Sequence, residues 1–228
     1  MTNKMMKALL VAAVLVSSAS QAVVMRGIGT GALVGGDLTD PENNGNPELD
    51  SGYNATFRSS VEQGFGGGEY AFNVFDNRVG GSNDKWCCDG GTVWVEANFG
   101  SKRYNLTRFT ATSGNDAAER DADRWQILGS NDGINYTPIF SYNNNGTSAW
   151  GANRLQVLEY SKAGGDFSSN AGYSIFRYQA TSTVQEGGMH QLNELEFFGT
   201  SVPEPGTLAL SGLGLAALAL SRRKKRVR

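Results

Sequence analysis

Asp76, Asn77, Ser82, Asn83 and Asp84 fall within nine residues of one turn-rich stretch, 72–86, FNVFDNRVGGSNDKW. Hard cations such as calcium want six to eight oxygens from carboxylates, amides and backbone carbonyls held in a tight loop, and this stretch offers that chemistry. The competing reading is that the same groups satisfy turn backbone. Cys87 and Cys88 follow directly and are the only cysteines. In an oxidising compartment they could close on each other as a vicinal disulfide; the alternative is two thiols packed beside Trp86. Two adjacent cysteines and the sole histidine, His190, do not make a four-ligand zinc set. Residues 115–125, NDAAERDADRW, place four acids and two arginines in one connection, where Arg120 with Asp116 or Asp121 could fix the loop. Glu194 and Glu196 lie two apart and so share a strand face, whereas a glycosidase needs carboxylates on opposite sides of a sugar bond. No nucleophile, base and orienting group stand out together, which leaves binding ahead of catalysis. Trp150, with Tyr142 and Tyr160, sits among polar loop residues, the composition in which a ring stacks on a sugar and amides bond its hydroxyls; the competing reading, which comes first, is that each ring packs in the core or against its loop.

The elements that must position these groups are strands. Residues 120–140 read as a hairpin: Trp125 and Ile127 alternate with polar neighbours, Asn131-Asp132-Gly133 tolerates positive φ, and a β-rich run follows at 136–140. Residues 92–99, 104–112, 155–160, 174–183 and 191–198 are β-branched and aromatic runs of strand length. No amphipathic helix of any length separates them, so the expected fold class is all-β, an antiparallel sandwich.

Composition agrees. The 228 residues include 30 Gly, only 5 Pro and 18% charged side chains, which suits a turn-rich β domain. The net charge of −2 hides an asymmetry: residues 23–200 hold 12 basic and 21 acidic side chains, while the last seven residues hold six Lys or Arg. An acidic domain repels phosphate backbones, and nucleic-acid binding is excluded on that ground. Residues 1–22 have the pattern of a signal peptide, with Lys4 and Lys7, an apolar run and Ser20-Gln21-Ala22 at the cleavage point. Residues 23–68 read as a lead-in of solvated acidic turns carrying the first strand of the sandwich, at 53–59.

The order of pieces from 69 to 199, a strand ending in FG, RFTATSGNDAAERDADRW, QILGSNDGINYTPI, YSIFRYQATS and QLNELEFFG, resembles the discoidin or coagulation-factor-5/8 type C domain. That resemblance implies a jelly-roll of the galactose-binding-like fold at 69–200. It also implies a structural calcium ion where the loop meets the last strand. Asp76 matches the family's loop Asp, Trp86 its Trp, and Asn193-Glu194 its closing pair. Asp84 stands where Thr or Ser is usual, Asn77 replaces a Gly, and the loop is about three residues longer. In sugar-binding relatives the loops at this end carry the ligand, which makes His190 a candidate contact beside Trp150.

Residues 201–228 resemble a PEP-CTERM sorting tail: Pro203-Glu204-Pro205, an apolar run at 207–221, and the basic terminus RRKKRVR. Fifteen helical residues span roughly 22 Å, short of a hydrocarbon core of roughly 30 Å, with the arginines on the cytoplasmic side. Such a segment suits a temporary stop. The resemblance implies a transient inner-membrane anchor, removal by an exosortase, and delivery to the surface or exopolysaccharide matrix of a Gram-negative bacterium. The expected function is non-enzymatic carbohydrate binding. A structural or adhesion protein without a glycan site is the alternative, and a glycoside hydrolase the third.

Overall fold

The computed structural model describes residues 23–62, 67–81 and 83–203, with Gly206 and Leu213 beyond. The leader, Ser82, Glu204, Pro205 and the body of the tail lie outside the described residues. Among the described residues no helix is long and apolar enough to cross a membrane.

Twelve strands form the molecule among the described residues: β1 (Val24–Ile28), β2 (Thr56–Ser59), β3 (Trp86–Cys87), β4 (Val93–Asn98), β5 (Arg103–Thr112), β6 (Ala122–Ser130), β7 (Thr137–Asn143), β8 (Gln156–Ser161), β9 (Gly172–Tyr173), β10 (Ile175–Thr183), β11 (Gln191–Leu192) and β12 (Glu194–Val202). One sheet runs β1-β8-β5-β12, with β9 also on β5; the second runs β2-β4-β10-β6-β7; β3 and β11 make a small ladder. Every pairing is antiparallel. This is the all-β sandwich that the period-two alternation implies. Trp125 and Ile127 of β6 point inward beside Ala180 and Tyr178 of β10, and Phe109 of β5 stacks on Tyr160 of β8 with ring centres 4.9 Å apart. The two inner faces thus meet in an aromatic core that includes Phe176, Phe197 and Leu195.

The lead-in does more than carry one strand. It gives β1 to one sheet and β2 to the other, and it closes the free edge of β12: Leu38 N–H donates to Phe197 O at 2.8 Å and Phe197 N–H to Asp37 Oδ2 at 3.2 Å. An edge covered this way cannot pair with another chain. Its acids are not all solvated turns. Asp37 and Asp40 are buried, while Glu42, Glu48 and Asp50 are exposed as expected.

Registers align the strands so that two ends of the sandwich differ. The starts of β4, β6, β8 and β12 meet the ends of β5, β7 and β10, gathering the loops 76–92, 113–121, 144–155 and 184–193 at one end. The opposite end carries the turns 99–102 and 131–136 and the point where β12 finishes.

Candidate functional site

At the loop end, Glu194 opens β12 and is buried beside the turn that follows the 3-10 segment Ala71–Val74. Its Oε1 accepts the Asn77 N–H at 3.2 Å, and Asp76 Oδ1 accepts the Arg78 N–H at 2.9 Å. The second oxygen of each carboxylate, Asp76 Oδ2 and Glu194 Oε2, is buried with no hydrogen-bond partner. Asn77 has φ 61°, a left-handed conformation that Asn and Gly tolerate, which explains why Asn can stand where the resemblance has Gly. Asn193 clamps the loop by donating to Gly80 O at 2.9 Å and accepting the Gly80 N–H at 3.2 Å. Asp84 lies on Gly80, where a Cβ would stand 2.2 Å from Asp84 Oδ2.

Burial, then the charge of Asp76, pushes the Glu194 carboxyl well above the usual carboxylate range. Burial also pushes Asp76 up to about 7, against the Arg78 N–H, with Asp84 adding to the rise. Two neighbouring buried carboxylates with one orphaned oxygen each are costly unless protonated or bridged by a cation. Of the four residues expected to ligate, Asp76 and Glu194 keep free oxygens, while the Asn193 amide oxygen already serves Gly80. Asp40 is engaged by the Asn44 and Gly45 N–H groups of its own turn and by the side-chain amide of Asn77 from the 72–86 loop.

Cys87 and Cys88 are joined to each other across a cis peptide bond. With Glu69 they bring three ligand-type atoms within 4.8 Å. The Lys85 ammonium stands 3.7 Å from that carboxylate, so the positive charge there is already supplied by the chain.

A hollow of ≈ 380 Å³ opens at the same end between the start of β6 and the end of β10, lined by Asp123, Arg124, Asn145, Gly146, Ser182 and Glu186 among others. Asp123 is buried in its lining, its carboxylate accepting the Gly146 N–H at 2.7 Å and a short bond from the Ser182 hydroxyl, with Arg124 Nε 3.8 Å away. Burial raises its pKa, but those donors outweigh burial and hold it below the ordinary value. Arg124 Nε is buried without a hydrogen-bond partner. Fixed charge, amide and hydroxyl groups facing one concavity can bond the ring hydroxyls of a small polar ligand.

Neither expected contact reaches this hollow. Trp150 is 2% exposed, stacks on Trp125 at 6.0 Å and donates its indole N–H to Ala111 O at 3.0 Å: it is core. His190, also 2% exposed, stacks on Tyr178 at 5.5 Å and meets Arg120 O through Nδ1 at 3.3 Å. Arg120 keeps only a 3.8 Å pair with Asp116, and Asp121 is instead gripped by Arg154 at 2.6 and 2.7 Å. Glu196 accepts bonds from Val34 N–H, Gly35 N–H and the Thr110 hydroxyl, so it is a support for the lead-in rather than an acid facing a ligand. The residues missed in the sequence, Asp123, Arg124, Asn145 and Ser182, come from three separate segments. The one local signal was an adjacent acid and arginine at a strand start.

This is the fold of galactose-binding-like modules. The sandwich is similar to a fucolectin from striped bass (Morone saxatilis) serum, at 14% identity over 67% of this chain and 49% of that one, with a TM-score of 0.51. It is also similar to a family 32 carbohydrate-binding module of Clostridium perfringens solved with GalNAc-β-1,3-galactose, at 18% identity over 64% and 96% of the two chains and a TM-score of 0.48. A family 32 module of C. perfringens NanJ, solved with galactose, is 19% identical over 63% and 93%, with a TM-score of 0.47. At these identities the likeness is one of fold. No curated protein matches the chain. Residues 201–224 match the PEP-CTERM protein-sorting motif, so the tail resemblance is shown.

Proposed function

We propose that this chain is an exported protein of the cell surface or exopolysaccharide matrix, released from its tail by an exosortase, whose loop end binds carbohydrate without catalysing a reaction. The observation that carries the binding is the hollow lined by Asp123, Arg124, Asn145 and Ser182, a carboxylate, an arginine, an amide and a hydroxyl around one concavity, in a fold that a fucolectin shares. The sorting motif supports export and release. A calcium ion would be held by Asp76 and Glu194, whose orphaned oxygens suit an oxygen-seeking cation. It would neutralise the pair and tie the loop to β12, as a structural ion. One observation favours a structural matrix protein instead: among the described residues the hollow is lined by no aromatic ring.

Affinity electrophoresis of residues 23–200 through gels holding the host's exopolysaccharide tests the proposal. Retardation that Arg124→Ala abolishes, with the thermal midpoint unchanged, is expected. Unretarded migration of the unaltered chain overturns the binding reading in favour of the structural one. Calcium is read separately: it should raise the thermal midpoint of the native chain and leave Asp76→Asn/Glu194→Gln unmoved. An equal response in both rejects those ligands.

A further inference from the structure

The sorting motif begins at Ser201, but β12 does not end until Val202. Two residues therefore belong both to the motif and to the folded sheet, Ser201 opposite Tyr104 and Val202 opposite Arg103 of β5, and Pro203 follows at once. No linker separates the sandwich from the segment that a processing peptidase must take hold of. Peptidases and other peptide-binding clefts take their substrates as extended chain with free backbone groups. Here that backbone is hydrogen-bonded to β5 and backed by the sandwich.

The end of β12 is also the part of the strand most easily given up. A register shift lies between Phe198 and Gly199, and beyond it Thr200 and Ser201 are exposed, whereas Leu195 and Phe197 before it are fully buried. Val202 is half-buried and rests against Gly172 of β9, where an added Cβ would stand 2.9 Å from Val202 Cγ2. Few buried contacts and exposed ladder bonds are the marks of a segment that opens locally at low cost, without unfolding the rest.

On the reading that the tail is enzymatically removed, we infer that 199–202 is a detachable strap. Its pairing with β5 hides the residues just before Pro203, and processing proceeds from the state in which the strap has left the sheet. The sandwich thereby sets the rate of its own release. The step itself is ordinary hydrolysis at the motif, in which one peptide bond is broken, one water is consumed and a carboxylate and an amine are left; the strap controls access only.

The test follows conversion of the full-length chain to its shortened form by pulse-chase in the host, with mass spectrometry of the product. Gly172→Ala leaves every motif residue intact and pries Val202 from its seat. A Gly-Ser linker ending in Thr-Ser-Val, placed between Val202 and Pro203, leaves β12 paired while giving the peptidase an unpaired copy of the same residues. Both changes are expected to speed conversion severalfold, and combined they should give no more than the linker alone. A native chain that is processed, with both variants converting at its rate, overturns the strap and leaves the sorting reading standing. A native chain that keeps RRKKRVR overturns the sorting reading and the strap with it.

Discussion

His190 is a histidine that the fold holds neutral. Burial pushes its pKa down to about 4, and the one bond to Arg120 O does not compensate. The unfolded chain, with a histidine near 6.5, therefore binds the proton more readily between about 6.5 and 4, so stability falls as pH drops through that window. His190→Phe keeps a ring between Tyr178 and Trp86 and should remove this part of the acid sensitivity, while leaving Arg120 O unpaired at a cost of about 1–3 kcal/mol. Thermal midpoints between pH 4 and 7 check it; parallel profiles for the two proteins would reject the assignment. The same burial explains why the sequence misplaced this residue. A histidine after two glycines looks exposed, and nothing local announces that Tyr178, on another strand, covers it.

Among the elements, the connection between β7 and β8 shows how a loop becomes core. Residues 144–155 fold back because Arg154 and Ser148 both bond Asp121, whose carboxylate is fully buried, and this delivers Trp150 beneath the loops onto Trp125. Trp150→Ala should cost about 3–5 kcal/mol, as truncation of buried large side chains does, read by chemical denaturation. A change below about 1 kcal/mol would return Trp150 to the ligand-platform role that is the second reading of its sequence context. The strands themselves were legible because alternation of β-branched and aromatic residues is a local signal: the runs at 92–99, 104–112, 155–160 and 174–183 differ from β4, β5, β8 and β10 by at most one residue at either end. The hollow was not legible. Asp123, Asn145 and Ser182 are brought together by the β6–β7 and β6–β10 registers, which no single stretch encodes.

In the whole molecule, the sandwich begins earlier than a boundary at residue 69 implies. β1 covers β8, β2 extends the second sheet past β4, and residues 34–38 seal β12 over Glu196. A chain beginning at Glu69 should therefore expose the β12 edge and Glu196 and fail to give a cooperative unfolding transition, whereas one beginning at Val23 should unfold in a single step. Cooperative unfolding of the shorter chain would demote the lead-in to a surface wrapping. The β1 segment escaped the reading of the sequence because its partner strand lies far along the chain.

The two ends of the sandwich also have a consequence for numbers of molecules. β12 finishes at the end opposite the loops, and nine strand residues reach about 30 Å, so on the proposed reading a chain held by its tail would carry the Asp123 hollow at the end of the sandwich away from the point of attachment. A polysaccharide repeats its unit many times. On the proposed reading, tethered neighbours sharing one strand would hold it by avidity far beyond the strength of a single hollow. Cutting the tail would turn that multivalent array into separate, weakly gripping monomers able to spread through the matrix.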